Sequence, residues 1–422
     1  MTPEVKERIE QIRHGIVPEG YKKTAAGIIP TEWKAVRIGD ICAVNPPRSK
    51  TPDEKVTFLG MADVSEEGRL INANIVDHTK VSKGFTAFEK GDILVAKITP
   101  CFENGKGANT RCMPTNQGFG STEFHVLRGK EITSGYLFLH TISYNFRKKL
   151  ESEMTGSAGQ KRVQTESLSS YLIGLPGVDE QNRIFEILNT QDQVIEKQQE
   201  KIEEYLKAKK YLQRMLFPMR TQDIPTLRFK KFTSAWEQRE FSKQYEKVSE
   251  KNDLSFGTDK IISVANMYFR GESTESSDEY MRTYNIMRLG DIAFEGNRSK
   301  YFANGRFVEN TIGDGIVSHV FDVFRPIVDY DLLFWKYVIN DEAIMGRILK
   351  RCTKASTMMT NLVAKDFLKE KIAVPSIAEQ RQIGSFLNTM DRLIELHQRK
   401  LELEKLKKKA LMQLLLTGIV RV

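Results

Sequence analysis

The sequence predicts a mixed α/β protein of α+β type, built as a tandem duplication: globular domain, long helix, globular domain, long helix. Three observations predict it. Residues 176–216 ("PGVDEQNRIFEILNTQDQVIEKQQEKIEEYLKAKKYLQRML") and 375–415 ("PSIAEQRQIGSFLNTMDRLIELHQRKLELEKLKKKALMQLL") align without a gap, and 17 of 41 positions are identical. Unrelated helices do not agree to that level, so the pair marks an internal repeat. "KGDILVAK" from Lys90 is answered by "LGDIAFEG" from Leu289, at the same offset of 199 residues. The segments outside the two helical copies mix short strand-like runs with helix-like ones. The resulting order is an N-terminal helical segment at 1–29, a domain at 30–173, a helical region at 174–217, a domain at 218–372 and a helical region at 373–418.

Each element has a local reason. The opening "MTPEVKERIEQIRHG" is charged, has a helical pattern and lacks the apolar run of a secretion signal. In the first domain Lys90–Thr99 and Glu123–Leu127 read as strands and Ser134–Glu153 as a helix. "AVNPPRSK", Ala43 to Lys50, reads as a loop after a short strand, because two prolines exclude a regular helix or a central strand. The first long helix starts after Pro176, with Gly177 at its cap, and Pro218 stops it. In the second domain "IPTLRFKKFTSAW" from Ile224 echoes "IPTEW" from Ile29. Arg288–Phe294 and Val317–Phe324 read as strands there and Tyr330–Lys350 as a helix. The second long helix opens on Pro375 with Ser376 and Glu379 as a capping box, and Gly418 offers its C-terminal cap.

Both long helices carry the same stripe. It runs Ile184, Leu188, Gln191, Ile195, Gln198, Ile202, Tyr205, Lys209, Leu212, Leu216 in the first. In the second it runs Ile383, Leu387, Met390, Ile394, His397, Leu401, Glu404, Lys408, Leu411, Leu415. Steps alternating four and three make the seam of a left-handed coiled coil, and its polar members fix register and partner. The two helices are expected to pair with each other rather than each with its own domain. Chain length alone leaves parallel and antiparallel pairing open. A helix of about 36 residues is about 54 Å long, which spans roughly 16 base pairs of duplex as an upper limit. A rod between two related but different domains suits a bipartite, non-palindromic target.

Composition narrows the class. With 422 residues, 40% hydrophobic and 28% charged, the chain reads as a soluble multidomain protein. It has no apolar run of about 18 residues, so no membrane span is expected and the cytoplasm is the expected compartment. Cys42, Cys101, Cys112 and Cys352 form no Cys-x-x-Cys pair and read as buried, reduced thiols. The histidines show no His-x-x-x-His, so no metal site is expected. A net charge of +9 permits a nucleic-acid partner, but no segment is a basic tail. Any DNA-binding face has to be gathered by folding.

"AVNPPRSK" also raises an enzymatic reading. Adenine methyltransferases hold their target with Asn-Pro-Pro followed by an aromatic ring that stacks on the flipped base. Arg48 stands where the ring belongs. A glycine-rich turn for the methyl donor is missing too, "FENGKGANT" being the nearest stretch. Asn45 is therefore read as a loop residue, not a catalytic one.

The chain resembles the specificity subunit of type I restriction-modification enzymes over essentially its whole length. "LPGVDEQNRIFEILNTQDQVI" and "VPSIAEQRQIGSFLNTMDRLI" carry the resemblance most strongly, since the motif occurs twice at the right spacing. "KGDILVAKITPCFENGKGA" and "TGSAGQKRV" in the first domain, and "GDIAFEGNRSKYFANGRF" and "TKASTMMTNLVAKDFL" in the second, add to it. The resemblance implies two target-recognition domains and an antiparallel coiled coil that sets their spacing and docks two methylation subunits. The apolar seam would be Ile184, Leu188, Ile195, Ile202, Leu212 and Leu216 against Ile383, Leu387, Ile394, Leu401, Leu411 and Leu415. It implies a non-catalytic chain without its own cofactor. S-adenosylmethionine, ATP and Mg would belong to partners, which include double-stranded DNA and, optionally, two restriction subunits.

Base reading needs Arg, Lys, Asn or Gln at groove edges, and phosphate contacts need Lys, Arg or backbone amides. Loops held by a rigid scaffold are the expected platform. In the first domain the candidates are Lys97, Asn104, Lys106 and Arg111, then Gln160, Lys161 and Arg162. In the second they are Asn297, Arg298, Lys300 and Arg306, then Arg351 and Lys354. Tyr301 and Phe302 are read first as core residues, with wedging or stacking against bases as the alternative. Lys407 to Lys409 fit either phosphate in the spacer or a solvated face. The competing readings are a single-chain adenine methyltransferase and a coiled-coil protein that binds DNA without sequence preference.

Overall fold

A computed structural model describes residues 2–48, 53–157, 159–218, 222–271, 277–355 and 359–422. They form two compact units, Met1–Gln199 with Lys400–Val422, and Glu200–Arg399. Each unit holds one globular domain and part of both long helices.

The domain of the first unit is built on two four-stranded sheets. One runs, in spatial order, Cys42–Val44, Phe124–Gly129, Ile93–Ala96 and Gly107–Asn109, all antiparallel. Ile93–Ala96 is an unbroken apolar run and is buried throughout, as a central strand covered on both faces must be. The other sheet runs Asn74–Asp77, Lys55–Leu59, Gln117–Gly120 and Thr86–Glu89, with its middle pair parallel. Lys34–Arg37 pairs with Leu172–Leu175 and so ties the domain's two ends together at the root of the first long helix. The N-terminal segment contributes a helix, Pro3–Arg13, and a hairpin of Tyr21–Thr24 with Gly27–Pro30.

The second unit repeats the first of these sheets. Tyr245–Val248, Val323–Pro326, Ile292–Glu295 and Arg306–Glu309 lie in the same spatial order, and Glu237–Glu240 pairs with Lys371–Val374 at the root. The second four-stranded sheet has no full counterpart among the described residues. Short pairs, Asn285–Met287 with Gly315–Val317 and Ile262–Ser263 with Tyr268–Phe269, stand in the remainder of this domain.

The repeated Gly-Asp-Ile is a structural turn. Gly91 and Gly290 adopt φ of 97° and 89°, which glycine reaches without strain. The Asp92 carboxylate accepts from the Glu89 amide at 2.7 Å and pairs bidentately with Arg128 at 2.8 Å. Asp291 does the same with the Arg288 amide at 2.8 Å and with Arg325 at 3.1 and 3.0 Å.

Three expected elements are split. The helix expected over Ser134–Glu153 is two, Ser134–Ile142 and Tyr144–Ser152. Ser143 leaves helical geometry and caps the second with its side chain. Likewise Leu332–Ile339 and Glu342–Cys352 replace one helix, because Asp341 caps the latter through the amides of Ala343 and Ile344. The run Val317–Phe324 is a junction of two strands, turned by a Phe321 amide bond to the Ser318 carbonyl.

The long helices run Val178–Leu216 and Ile377–Leu416. Gln181 and Gln380 each reach back to a proline carbonyl, Pro176 and Pro375, at 3.0 Å. Ser376 caps the Glu379 amide at 3.4 Å, but the Glu379 carboxylate turns to Arg228 at 2.7 and 2.8 Å instead of closing the box. Gly418 closes the second helix with φ of 69°.

All twenty stripe positions are buried or half-buried. In the first unit Ile184 and Leu188 share a core with Leu415 and Leu416, Gln191 donates to Glu404 at 2.7 Å, and Asp192 pairs with Lys408 at 2.7 Å. In the second, Ile383 and Leu387 share a core with Leu216, Asp391 pairs with Lys209, and the His397 and Tyr205 rings lie 5.1 Å apart. Ascending residues of one helix meet descending residues of the other, so the pairing is antiparallel within each unit.

All four cysteines are free thiols. Cys42 and Cys352 are buried as expected, and burial pushes both up to about 12. Cys101 is half-buried and Cys112 exposed, contrary to expectation. Cys112 ends a short turn whose inward residue is Thr110. No described helix is long and apolar enough to cross a membrane. Among the described residues no cluster of His, Cys, Asp or Glu could hold a metal.

Candidate nucleic-acid interface

The central strand Ile93–Ala96 runs out into the loop Lys97–Lys106, which returns as Gly107–Asn109. The loop is braced from inside. Phe102 is fully buried, and the Arg147 guanidinium covers its ring at 4.8 Å. Arg147 also donates to the carbonyls of Thr141 at 2.7 Å and of Phe102 and Gly105 at 3.1 Å each. Burial draws Arg147 down to about 10, which still leaves it charged at neutral pH.

The two candidate clusters of this domain, some sixty residues apart in sequence, lie side by side. The Thr99 amide donates to the Lys161 carbonyl at 3.0 Å and the Val163 amide to the Lys97 carbonyl at 2.9 Å. Arg162 forms antiparallel bridges with both Ile98 and Thr155. Asn104, Gln160 and Lys161 are exposed on this surface, and Lys97 is half-buried. Arg162 is held by Glu123 through Nε at 3.1 Å and Nη2 at 2.8 Å, and this pairing draws the Glu123 carboxyl below its ordinary value. Lys106 folds back onto the Met61 carbonyl at 2.8 Å. Arg111 does not join the group. It lies at the Ile93 end of the sheet, over the Phe185 ring of the first long helix at 5.2 Å.

Asn45 belongs to the same scaffold. Its side chain accepts from the Val126 amide at 3.0 Å and donates to His125 Nδ1 at 3.2 Å. His125 Nε2 donates to the Val163 carbonyl at 2.9 Å. These partners require the neutral imidazole with its proton on Nε2. Burial lowers the His125 pKa and favours that form. Asn45 sits at φ of 50°, which asparagine tolerates. Both ends of its amide are engaged within the fold.

The second domain uses the same construction at the repeat-related place. The strand Ile292–Glu295 runs out into a loop carrying Asn297, Arg298 and Lys300, all exposed. Asn297 bridges Met359, and the Thr360 amide donates to the Gly296 carbonyl at 2.8 Å. That joins the loop to the hairpin of Thr353–Ala355 and Thr360–Leu362, on which Lys354 is exposed. Within the "TKASTMMTNL" stretch, residues 356–358 lie outside the described residues. Arg306 braces the loop rather than facing outward. It bonds Glu295 at 2.7 Å and the Ala265 carbonyl at 2.6 Å, and it covers the Phe302 ring at 5.0 Å. Arg351 is bound to Glu370 at the hairpin's root. Tyr301, expected in the core, is 75% exposed, while Phe302 is half-buried under Arg306. Lys407 and Lys408 are paired with Glu404 and Asp192, and Lys409 lies 5.6 Å from the centre of the Tyr144 ring.

The sequence missed Glu123, His125, Arg147 and Glu295. Each acts through partners distant in the chain, and no local spacing marks it. The arrangement offers, on each domain, a rigid double loop presenting amide and cationic donors, the side chains that read base edges and phosphates.

Known proteins share this sequence and plan. The type I restriction modification DNA specificity domain matches residues 30–206 and 246–405. The EcoEI specificity subunit of a type I restriction enzyme from Escherichia coli is 38% identical over 160 residues, which are 37% of this chain and 27% of that relative. The MjaVIII specificity subunit of Methanocaldococcus jannaschii is 24% identical over 435 residues, covering 96% of each chain. A chain solved in a study of assembly and conformational transition of the type I R-M system has the same fold. Its TM-score is 0.60 at 15% identity, covering 93% of this chain and 99% of that one. This chain belongs to the type I restriction-modification DNA specificity family.

Proposed function

We propose that this chain is the sequence-reading subunit of a type I restriction-modification complex. Each domain reads one half of a split, non-palindromic DNA target, and catalysis resides in partner subunits that carry S-adenosylmethionine, ATP and Mg. One observation supports this most directly. Each domain fuses two distant loops into a single donor surface on a repeated sheet, yet the side chains differ between the copies. One scaffold with two faces fits two different half-sites. Two methylation subunits, with or without two restriction subunits, complete the assembly. The coil offers them purchase: in the first unit Leu403 and Leu406 are 66% and 62% exposed, on the side of the helix away from its seam.

Methylome sequencing of cells with and without the gene tests the reading. The expected result is one split sequence methylated only when the gene is present. The purified chain transferring methyl groups unaided would refute it. So would binding equal on all duplexes and abolished by salt, since phosphate contacts alone behave that way.

A further inference from the structure

Tyr301 is the most exposed large hydrophobic side chain among the described residues, at 75%. Scattered surface hydrophobics need no explanation, but this one is held in a particular setting. Ser299 fixes its backbone: the hydroxyl oxygen accepts from the amides of Tyr301 at 3.3 Å and Phe302 at 3.1 Å, and the Ser299 amide donates to the Phe302 carbonyl at 3.1 Å. The next residue, Phe302, is anchored under the Arg306 guanidinium, itself bound to Glu295 and Ala265. Asn304 reaches the Gly346 carbonyl at 3.4 Å. The turn is thus tied down on both sides of Tyr301, and the exposed Asn297, Arg298 and Lys300 precede it in the same loop. A rigid turn that presents an aromatic ring to solvent among cations matches the device by which proteins open a base step. Cations hold the flanking phosphates while an apolar wedge unstacks the pair.

We propose that Tyr301 is a wedge that enters one base step of the half-site read by the second domain, favouring steps that unstack easily. This rests on the reading of that domain as a DNA reader. Pyrimidine–purine steps unstack most readily, so the residue would contribute specificity through deformability rather than through hydrogen bonds.

The test uses the chain assembled with its methylation subunits, on a duplex carrying the target found by methylation mapping. 2-Aminopurine is placed in turn at each position of the second half-site other than the methylated base. With the unaltered chain and with Tyr301→Phe, fluorescence should rise several-fold at one position. With Tyr301→Ala that rise should vanish and affinity fall about 10- to 100-fold, while the salt dependence of binding stays unchanged. Specific binding with no rise at any position, or an equal rise with Tyr301→Ala, overturns the wedge and leaves the DNA-reading function standing. Failure of the unaltered complex to prefer the mapped target overturns both.

Discussion

Asn45, His125 and Val163 form a chain of hydrogen bonds from the Asn-Pro-Pro loop, through a central strand, to the second candidate loop. A histidine in that position works only while neutral. His140, in the helix Ser134–Ile142, is under stricter control: it is 5% exposed, its Nε2 has no hydrogen-bond partner in the structure, and burial lowers its pKa to about 3. The sign of the consequence is fixed. In the unfolded chain His140 takes up a proton near 6.5, while in the folded chain it does not until about 3. Its contribution is therefore intact above pH 6.5 and is lost as pH falls below it, by about 1.4 kcal/mol per unit. Urea unfolding of the full chain, followed by pulse-labelled hydrogen exchange over residues 134–142, should show that loss between pH 6.5 and 5. His140→Phe should flatten the slope by about one proton. An unchanged slope would mean that His140 titrates alike in both states. None of this was legible in the sequence, where a lone histidine in an apolar run looks the same whether neutral or charged. The exposed donors Asn104, Gln160, Lys161, Asn297, Arg298 and Lys300 were legible because glycine-flanked polar loops after strands project outward. That Arg111 lies over Phe185, and that Arg306 and Arg351 are paired with Glu295 and Glu370, was not legible, because an arginine's partner is chosen by the fold.

The long helices were the most legible elements, since a stripe repeated twice leaves little freedom of interpretation. The shorter helices were read too long, because Ser143 and Asp341 act as caps only where the chain turns. A tight joint between domain and long helix was hidden as well. In the first unit a Cβ on Gly135 would meet the Phe185 ring at 2.5 Å. In the second a Cβ on Gly384 would meet the Phe334 amide nitrogen at 2.6 Å and Asp331 Oδ1 at 2.7 Å. Gly135 and Phe334 are repeat-related, as are Phe185 and Gly384. Phe185 presents its ring to Gly135, whereas Phe334 presents its backbone to Gly384 and turns its ring to Phe217, Trp236 and Trp335. Gly135→Phe should therefore cost at least the 1–3 kcal/mol typical of overpacking, about. Adding Phe185→Gly, which takes away the ring that the new side chain would strike, should recover at least half of the lost stability despite removing the ring beneath Arg111. Thermal unfolding of the two single variants and the double variant measures the coupling. A double variant no better than the worse single one would show that size matching does not govern this joint.

At the scale of the whole chain, the duplication explains both what could be read and what could not. Two copies must keep the turns and seams that build them, so Gly91 with Gly290 and the paired stripes stayed visible. They need not keep the surfaces they present, so what each surface binds leaves no trace in spacing. The spacer role proposed for the coil is testable through its register. The Asp192–Lys408 and Asp391–Lys209 pairs are repeat-related and mark the antiparallel register within each unit. Seven residues inserted after Gln199 and seven after Arg399 fall between these pairs and preserve the alternation of four and three along both seams. Each insertion adds about 10 Å of helix, equivalent to at most about 3 base pairs of duplex. Both half-sites should remain as they were, with a longer spacer between them, as read by methylome sequencing of cells carrying the insertion. Lengthening one helix alone would shift its seam two turns against its partner and oppose apolar positions to the wrong residues, so assembly should fail. An unaltered spacer in the doubly lengthened chain, with methylation intact, would mean that something other than the coil sets the distance between the half-sites.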